Sequence, residues 1–238
     1  MLIAVVNESQ LVSNNDVQIM TLAVQKQLNL HVAPAWHQKN PTVTFYTDAS
    51  KIPGHAWVVH ILDNPDVAGA LGYHSEDQDK IDAFIFCKPV LDNKGGVLYD
   101  ASNPQNVSVA SVLSHELCEM FGDRFANFWA DGPKITQGNE YALELCDPVE
   151  SDSYEIDVVY NNVTYKVSVS NFIFPAWFNQ QATSANMPFD YLKKLSKPFT
   201  MTSGGYMIVR NAGREQQVFG EHMPEWKKAL KKADWYRR

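Results

Sequence analysis

The sequence predicts an α/β (α+β) protein with a mixed sheet, one helix carrying a compact set of imidazole and carboxylate groups, and a β-rich C-terminal part. Three observations carry this. Short β-branched and aromatic runs such as Ala56–Leu62 and Ala83–Cys87 alternate with stretches of helical spacing in the first half. The stretch Ser111–Asp123 places apolar Val112, Leu113, Leu117, Met120 and Phe121 at helical intervals. Beyond residue 155 the apolar residues switch to period two.

Taken in order, residues 2–6 form a first strand. Ser13 or Asn14 is an N-cap candidate, with Asp16 in the first turn, for an amphipathic helix running to about residue 31. Pro34 and Pro41 bracket a turn-rich link, Val43–Tyr46 suggests a strand, and residues 56–62 read as a central strand. Ala68–Ser75 combines small residues with Tyr73 and His74 ahead of an acidic loop, Glu76–Asp79, and suits an edge strand. Ala83–Cys87 reads as a buried strand, and Asp92–Gly96 as a turn. Asn106 or Ser108 opens the next helix, and Gly122 is positioned to end it as a C′ glycine. Alternation in Tyr141–Cys146 predicts a strand delivering Asp147 into a loop begun by Pro148. Residues 155–174 alternate and read as a hairpin about Asn161–Asn162, residues 171–178 as an aromatic plug, and residues 200–210 as a turn and strand. The C-terminal stretch 225–238 reads as a basic amphipathic helix. The division expected is residues 1–180 as the main domain and 181–238 as an extension within one compact unit.

The helix at 111–123 carries the chemistry. His115 and Glu119 stand one turn apart on one face, with Glu116 beside them. An imidazole and a carboxylate at that spacing can chelate one metal ion, and a second carboxylate there is placed to act as general base on a water the metal activates. This is the zinc-peptidase pattern H-E-x-x-H with Glu119 in place of the second histidine. A third ligand has to come from elsewhere, and the acidic cluster from Glu144 to Asp152 supplies candidates. Asp147 is the first choice, with Glu144, Glu150, Asp152 and the neighbouring Tyr154 as alternative ligands or supporting groups. Asp123, eight residues past His115, suits a helix-end or ligand-orienting carboxylate. Oxygen ligands from Asp147, Glu150 and Asp152 alone would favour calcium or magnesium over zinc. Asn186–Pro188 offers a methionine turn of the sort that underlies some zinc sites.

Composition excludes several classes. At 238 residues with 45% hydrophobic and 20% charged residues the chain is long and apolar enough to fold around a core. A net charge of −7 argues against general nucleic-acid binding. Cys87, Cys118 and Cys146 lie in apolar runs and read as free buried thiols. The six-residue apolar N-terminus lacks a basic flank, so no signal peptide is expected, and the protein is expected to work in the cytoplasm where it is made or to be carried out by assembly or lysis. No run is long enough to predict a membrane span.

Ser114–Asp123, Asn127–Gly132, Glu144–Ile156, Ser170–Phe178 and Gly204–Val209 together resemble a family of zincin-like, metallopeptidase-like proteins of bacteriophages and bacteria, over most of the length. The resemblance implies a zincin-like fold, His115 as ligand, Glu116 as base, and an edge strand along which an extended peptide lies. Zinc is the implied cofactor and a peptide or protein the implied substrate. A carboxylate at 119 blunts the metal's Lewis acidity, so the alternative is an inactive structural or adaptor protein that keeps the fold, such as a virion component with an assembly partner.

Overall fold

The apolar run Leu2–Asn7 forms β1, with parallel partners on both sides: β2 (Thr42–Tyr46) and β3 (Trp57–Leu62). Burial on both faces explains why β1 reads as near-continuous aliphatics and not as an alternation. The sheet is completed by β4 (Gly72–Asp77) and β5 (Lys80–Phe86) in the order β2-β1-β3-β5-β4. Only β4 runs antiparallel, pairing β5 from Gly72↔Ile85 to Asp77↔Lys80 and forming the sheet edge. The protein is thus an α+β fold with a mixed sheet, and the 56–62 strand is central in it. This computed structural model describes residues 1–66, 70–77, 80–99, 107–133 and 138–223, with Glu225 and Lys228.

Helix α1 (Asn14–Gln27) starts at a capping box in which the Ser13 hydroxyl and the Asp16 carboxylate each accept from the other's backbone N–H. It continues through a π turn, Leu28–Val32, into α2 (Ala33–Ala35), which contains Pro34. A short α3 (Cys87–Asp92) occupies part of what the sequence suggested was only an approach to a turn. Helix α4 (Val109–Gly122) bears the H-E-x-x-E motif and is capped by Ser108, paired reciprocally with Ser111. Helices α1 and α4 pack on the sheet by one face and on the hairpin of β8 (Ser153–Tyr160) and β9 (Val163–Ser170) by another. That three-layer burial explains why nearly all of α4 is inaccessible, its charged residues included. A buried network fixes its rotation: the Ser114 hydroxyl donates to Gln27 Oε1 and accepts from the Ser170 N–H, while Gln27 Nε2 donates to the Ser170 carbonyl.

The hairpin turns at Asn161 and Asn162, both at positive φ, as a two-residue type I′ turn requires. A second sheet runs β11-β10-β7-β6, joining β6 (Trp129–Asp131) and β7 (Asn139–Ala142) to β10 (Tyr206–Asn211) and β11 (Arg214–Phe219). Residues on both sides of position 180 therefore share one sheet. The aromatic plug packs here: Trp177 meets Tyr141 and Phe199, with Ile173, Phe189 and Leu195 around them. Among the described residues no helix is long and apolar enough to cross a membrane. Most of the basic stretch 225–238, the loop residues 78–79 and the cap candidate Asn106 lie outside the described residues.

Two expectations are corrected. Gly122 does not end α4 as a left-handed C′ residue; it is the last helical residue, and Asp123 at φ −137° is the cap. Its lack of a side chain serves close approach instead, because a Cβ there would lie 2.3 Å from Leu145 Cδ1. Gly122→Ala should therefore destabilise the fold by about 1–3 kcal/mol, despite the gain in helix propensity. A double-mutant cycle with Leu145→Ala, measured by urea denaturation, should show at least about 1 kcal/mol of relief relative to additivity. Met187 is 49% exposed and lines a surface pocket with Ser184, Lys193 and Leu195, so it forms no floor beneath the motif helix.

Candidate metal centre

The strand predicted to deliver Asp147 ends at Ala142, and an irregular stretch then runs beside the C-terminal half of α4 into a 3-10 turn, Asp147–Val149. This route puts the acidic cluster against the motif helix. His115 Nε2 lies 3.0 Å from Glu119 Oε1 and 3.2 Å from Asp147 Oδ1, while its Nδ1 lies 3.1 Å from Glu150 Oε2. Glu144 joins Glu119 and Asp147 within 4.8 Å. His115, Glu116, Glu119, Glu144 and Asp147 are each 5% exposed or less. The structure thus brings together His115, Glu119, Asp147, Glu144 and Glu150 from the sequence-derived set.

Others sit elsewhere. Asp123 works at the helix end: its carboxylate accepts from the Phe125 and Phe128 N–H groups and shapes the following loop. Tyr154 bonds His31 Nδ1 at 2.7 Å and stacks on Tyr191; burial pushes its phenol pKa up. Asp152 belongs to none of the metal-capable groups among the described residues. Asp147 and Glu150 both lie against the His115 imidazole, so the donors they stand beside include nitrogen. Cys118 and Cys146 are free and buried, burial together with the adjacent Cys118 thiol pushes Cys146 far up, and neither belongs to a metal-capable group among the described residues.

Sequence reasoning missed one participant as a ligand. His74 on β4 is buried, and its Nδ1 stands 3.6 Å from Glu116 Oε2. Its Nε2 contacts the Asp123 carbonyl at 3.1 Å, and since a carbonyl only accepts, Nε2 carries the hydrogen. Gly72, two residues earlier, leaves room for the Glu116 side chain, whose Oε1 would be 3.0 Å from a Cβ. The space that the missing side chain of Gly72 leaves is filled by Glu116. The available signal was the order of small residue, aromatic and histidine on a strand directly before the motif helix.

The electrostatics of the cluster favour added positive charge. Burial alone would lower His115 and His74, but the surrounding carboxylates outweigh it, raising His115 well above its ordinary value and His74 to about 9. Burial, with Asp147 next, raises Glu119 to about 8. A site that holds protons this firmly is one a cation can take over by displacing them.

The residues fit a metal ion. The buried His115 Nε2 has no hydrogen bond in acceptable geometry although carboxylate oxygens flank it. Two donors about 2.1 Å from a common ion lie about 3.0 Å apart at a right angle and about 3.4 Å apart at the tetrahedral angle. The 3.0 and 3.2 Å separations at Nε2 match such a shared ion. Glu150 on Nδ1 is the carboxylate brace that metal-ligating histidines commonly have. These buried His, Glu and Asp groups can hold a metal ion. Comparison of the chain with protein-family models, curated proteins and solved structures gives no match.

Proposed function

We propose that the chain is a metal-dependent hydrolase of the zincin-like kind acting on a peptide or protein. In this reading zinc is held by His115, Glu119 and Asp147, and Glu116 serves as base. The observation that carries the reading is the His115 ring, braced on Nδ1 by Glu150 and facing Glu119 and Asp147 with Nε2. The antiparallel edge strand β4 beside α4 supports it, since the resembled family lays an extended substrate along that edge.

When bound, the ion supplies Lewis acidity to a carbonyl oxygen and to an attacking water. Glu116 lies with His74 and Glu119 inside one 4.8 Å group, in reach of a proton released there. His74, fixed through Nε2 by the Asp123 carbonyl, points Nδ1 at the Glu116 carboxylate 3.6 Å away, so that a positive charge between the two would hold that carboxylate in place. A small cavity of about 10 Å³, room for one water, touches Glu144 and Asp147 under Trp177 and Met207. Glu116→Gln should retain the ion beside His115 and lose at least about 100-fold in the rate of hydrolysis of a mixed peptide digest. An unchanged metal-dependent rate in that variant removes Glu116 from the mechanism.

The deep burial of every ligand favours a second reading, a closed metal centre in an adaptor or virion structural protein. The two readings differ in ligand exchange. Azide added to the cobalt-substituted protein shifts the visible absorption of an open site and leaves a closed one unchanged.

A further inference from the structure

We infer that the cluster is built for two divalent ions, the second lying between His74 Nδ1, Glu116 and Glu119, with the Glu119 carboxylate shared by both. This rests on the metal-centre reading above and extends it to His74, a residue the zinc-peptidase motif does not use.

The geometry at His74 is the starting point. With the hydrogen committed to Nε2 by the Asp123 carbonyl, a neutral ring presents the Nδ1 lone pair to the Glu116 carboxylate. Lone pair against carboxylate is repulsive unless something positive lies between them, a proton or a metal ion. The 3.6 Å separation exceeds the usual 2.7–3.2 Å of an N–H···O bond, and is near the spacing of two donors on one ion. Glu119 supplies the third donor, since His74, Glu116 and Glu119 offer atoms within 4.8 Å of one another.

Glu119 also belongs to the first site, 3.0 Å from His115 Nε2 and grouped with Glu144 and Asp147. A carboxylate contacting both donor sets is what a bridging ligand requires. Glu144 groups with Glu119 and Asp147 on the side of the first site. The first ion would then have His115, Asp147 and Glu144, and the second His74 and Glu116, with Glu119 shared by both. Glu150 remains the brace on His115 Nδ1. Such a one-imidazole, oxygen-rich set suits manganese or iron as well as zinc.

Charge leads to the same count. Glu116, Glu119, Glu144, Asp147 and Glu150 give the cluster five formal negative charges, and among the described residues no lysine or arginine is buried. With neutral imidazoles, one divalent ion leaves the cluster's formal charge at −3 and two leave it at −1. In a low-dielectric interior the smaller residual charge is strongly preferred.

The test uses the full-length protein, stripped with chelator and titrated with Mn(II). Wild type should bind about two ions per chain, and the EPR signal of isolated Mn(II) should give way to an exchange-coupled signal at the second equivalent. His74→Ala should bind about one ion and keep the isolated signal throughout. If that variant does not fold, the wild-type titration decides alone. Saturation at one ion, or two ions without exchange coupling, overturns the shared site and leaves the single-ion reading standing. No retained ion overturns both.

Discussion

Chelation of the metal is expected to lower the melting temperature of the protein by roughly 8–16 °C. An ion present at about 1,000 times its dissociation constant contributes about 4 kcal/mol, and in a chain of this size each kcal/mol moves the midpoint by about 2–4 °C. The dependence on pH follows from the buried histidines. In the unfolded chain His74 titrates near 6.5, and in the folded metal-free protein near 9. A folded-state pKa raised in this way contributes stability that is fully present below about 6.5 and lost as pH rises through about 9. For His74 alone the loss is about 3 kcal/mol, and His115 and Glu119, also raised, act in the same direction. A bound ion replaces those protons, so the loaded protein should hold its stability at alkaline pH. Scanning calorimetry of loaded and chelated protein should show a gap that widens from pH 6 to pH 9. His115→Ala should be markedly less sensitive to chelator than wild type at either pH. A wild-type midpoint unmoved by chelator would mean that protons alone hold the cluster together.

Much of the fold was legible because local signals and tertiary burial agree. The run Leu2–Asn7, the Ser13/Asp16 cap, the Asn161–Asn162 turn and the alternation of β8 and β9 each have a local cause. The candidate site was legible only where helical spacing imposes geometry, at His115, Glu116 and Glu119. Asp147 could be named because its proline turn follows an alternating segment, but no local rule orders Glu144, Glu150 and Asp152 by distance to the helix. That order is set by Leu145 packing against the bare Cα of Gly122, a contact between residues 23 positions apart. His74 was passed over for the same kind of reason. Its partner, the Asp123 carbonyl, is a backbone group that no side-chain pattern reports. Gly122 misled because a glycine at a helix end usually signals a left-handed cap, and here close packing is what requires it.

Gly205→Ala is the substitution outside the ligand set expected to damage the centre most. Gly205 lies just before β10, and a Cβ there would stand 2.2 Å from the Pro148 carbonyl oxygen and 2.6 Å from its carbon. Those are backbone atoms of the 3-10 turn that begins with Asp147, so no rotamer change can relieve the clash. The same carbonyl accepts from the Thr202 N–H at 2.9 Å, which ties the C-terminal segment to the turn. Moving Pro148 outward moves Asp147 and Glu150, which approach opposite nitrogens of His115. The variant should lose about 1–3 kcal/mol of stability, the usual cost of overpacking. Because metal sites tolerate little displacement of their ligands, metal affinity should also fall by at least about tenfold. Gly54→Ala is the matched control: nothing lies within 4 Å of a Cβ at that position, so both quantities should stay near wild type. The two readouts separate the causes. Lost stability with full metal affinity would mean that the turn yields without carrying Asp147 along, so that the C-terminal segment serves the fold alone. Loss of both would make residues after 200, remote from the motif helix in sequence, part of what holds the centre in shape.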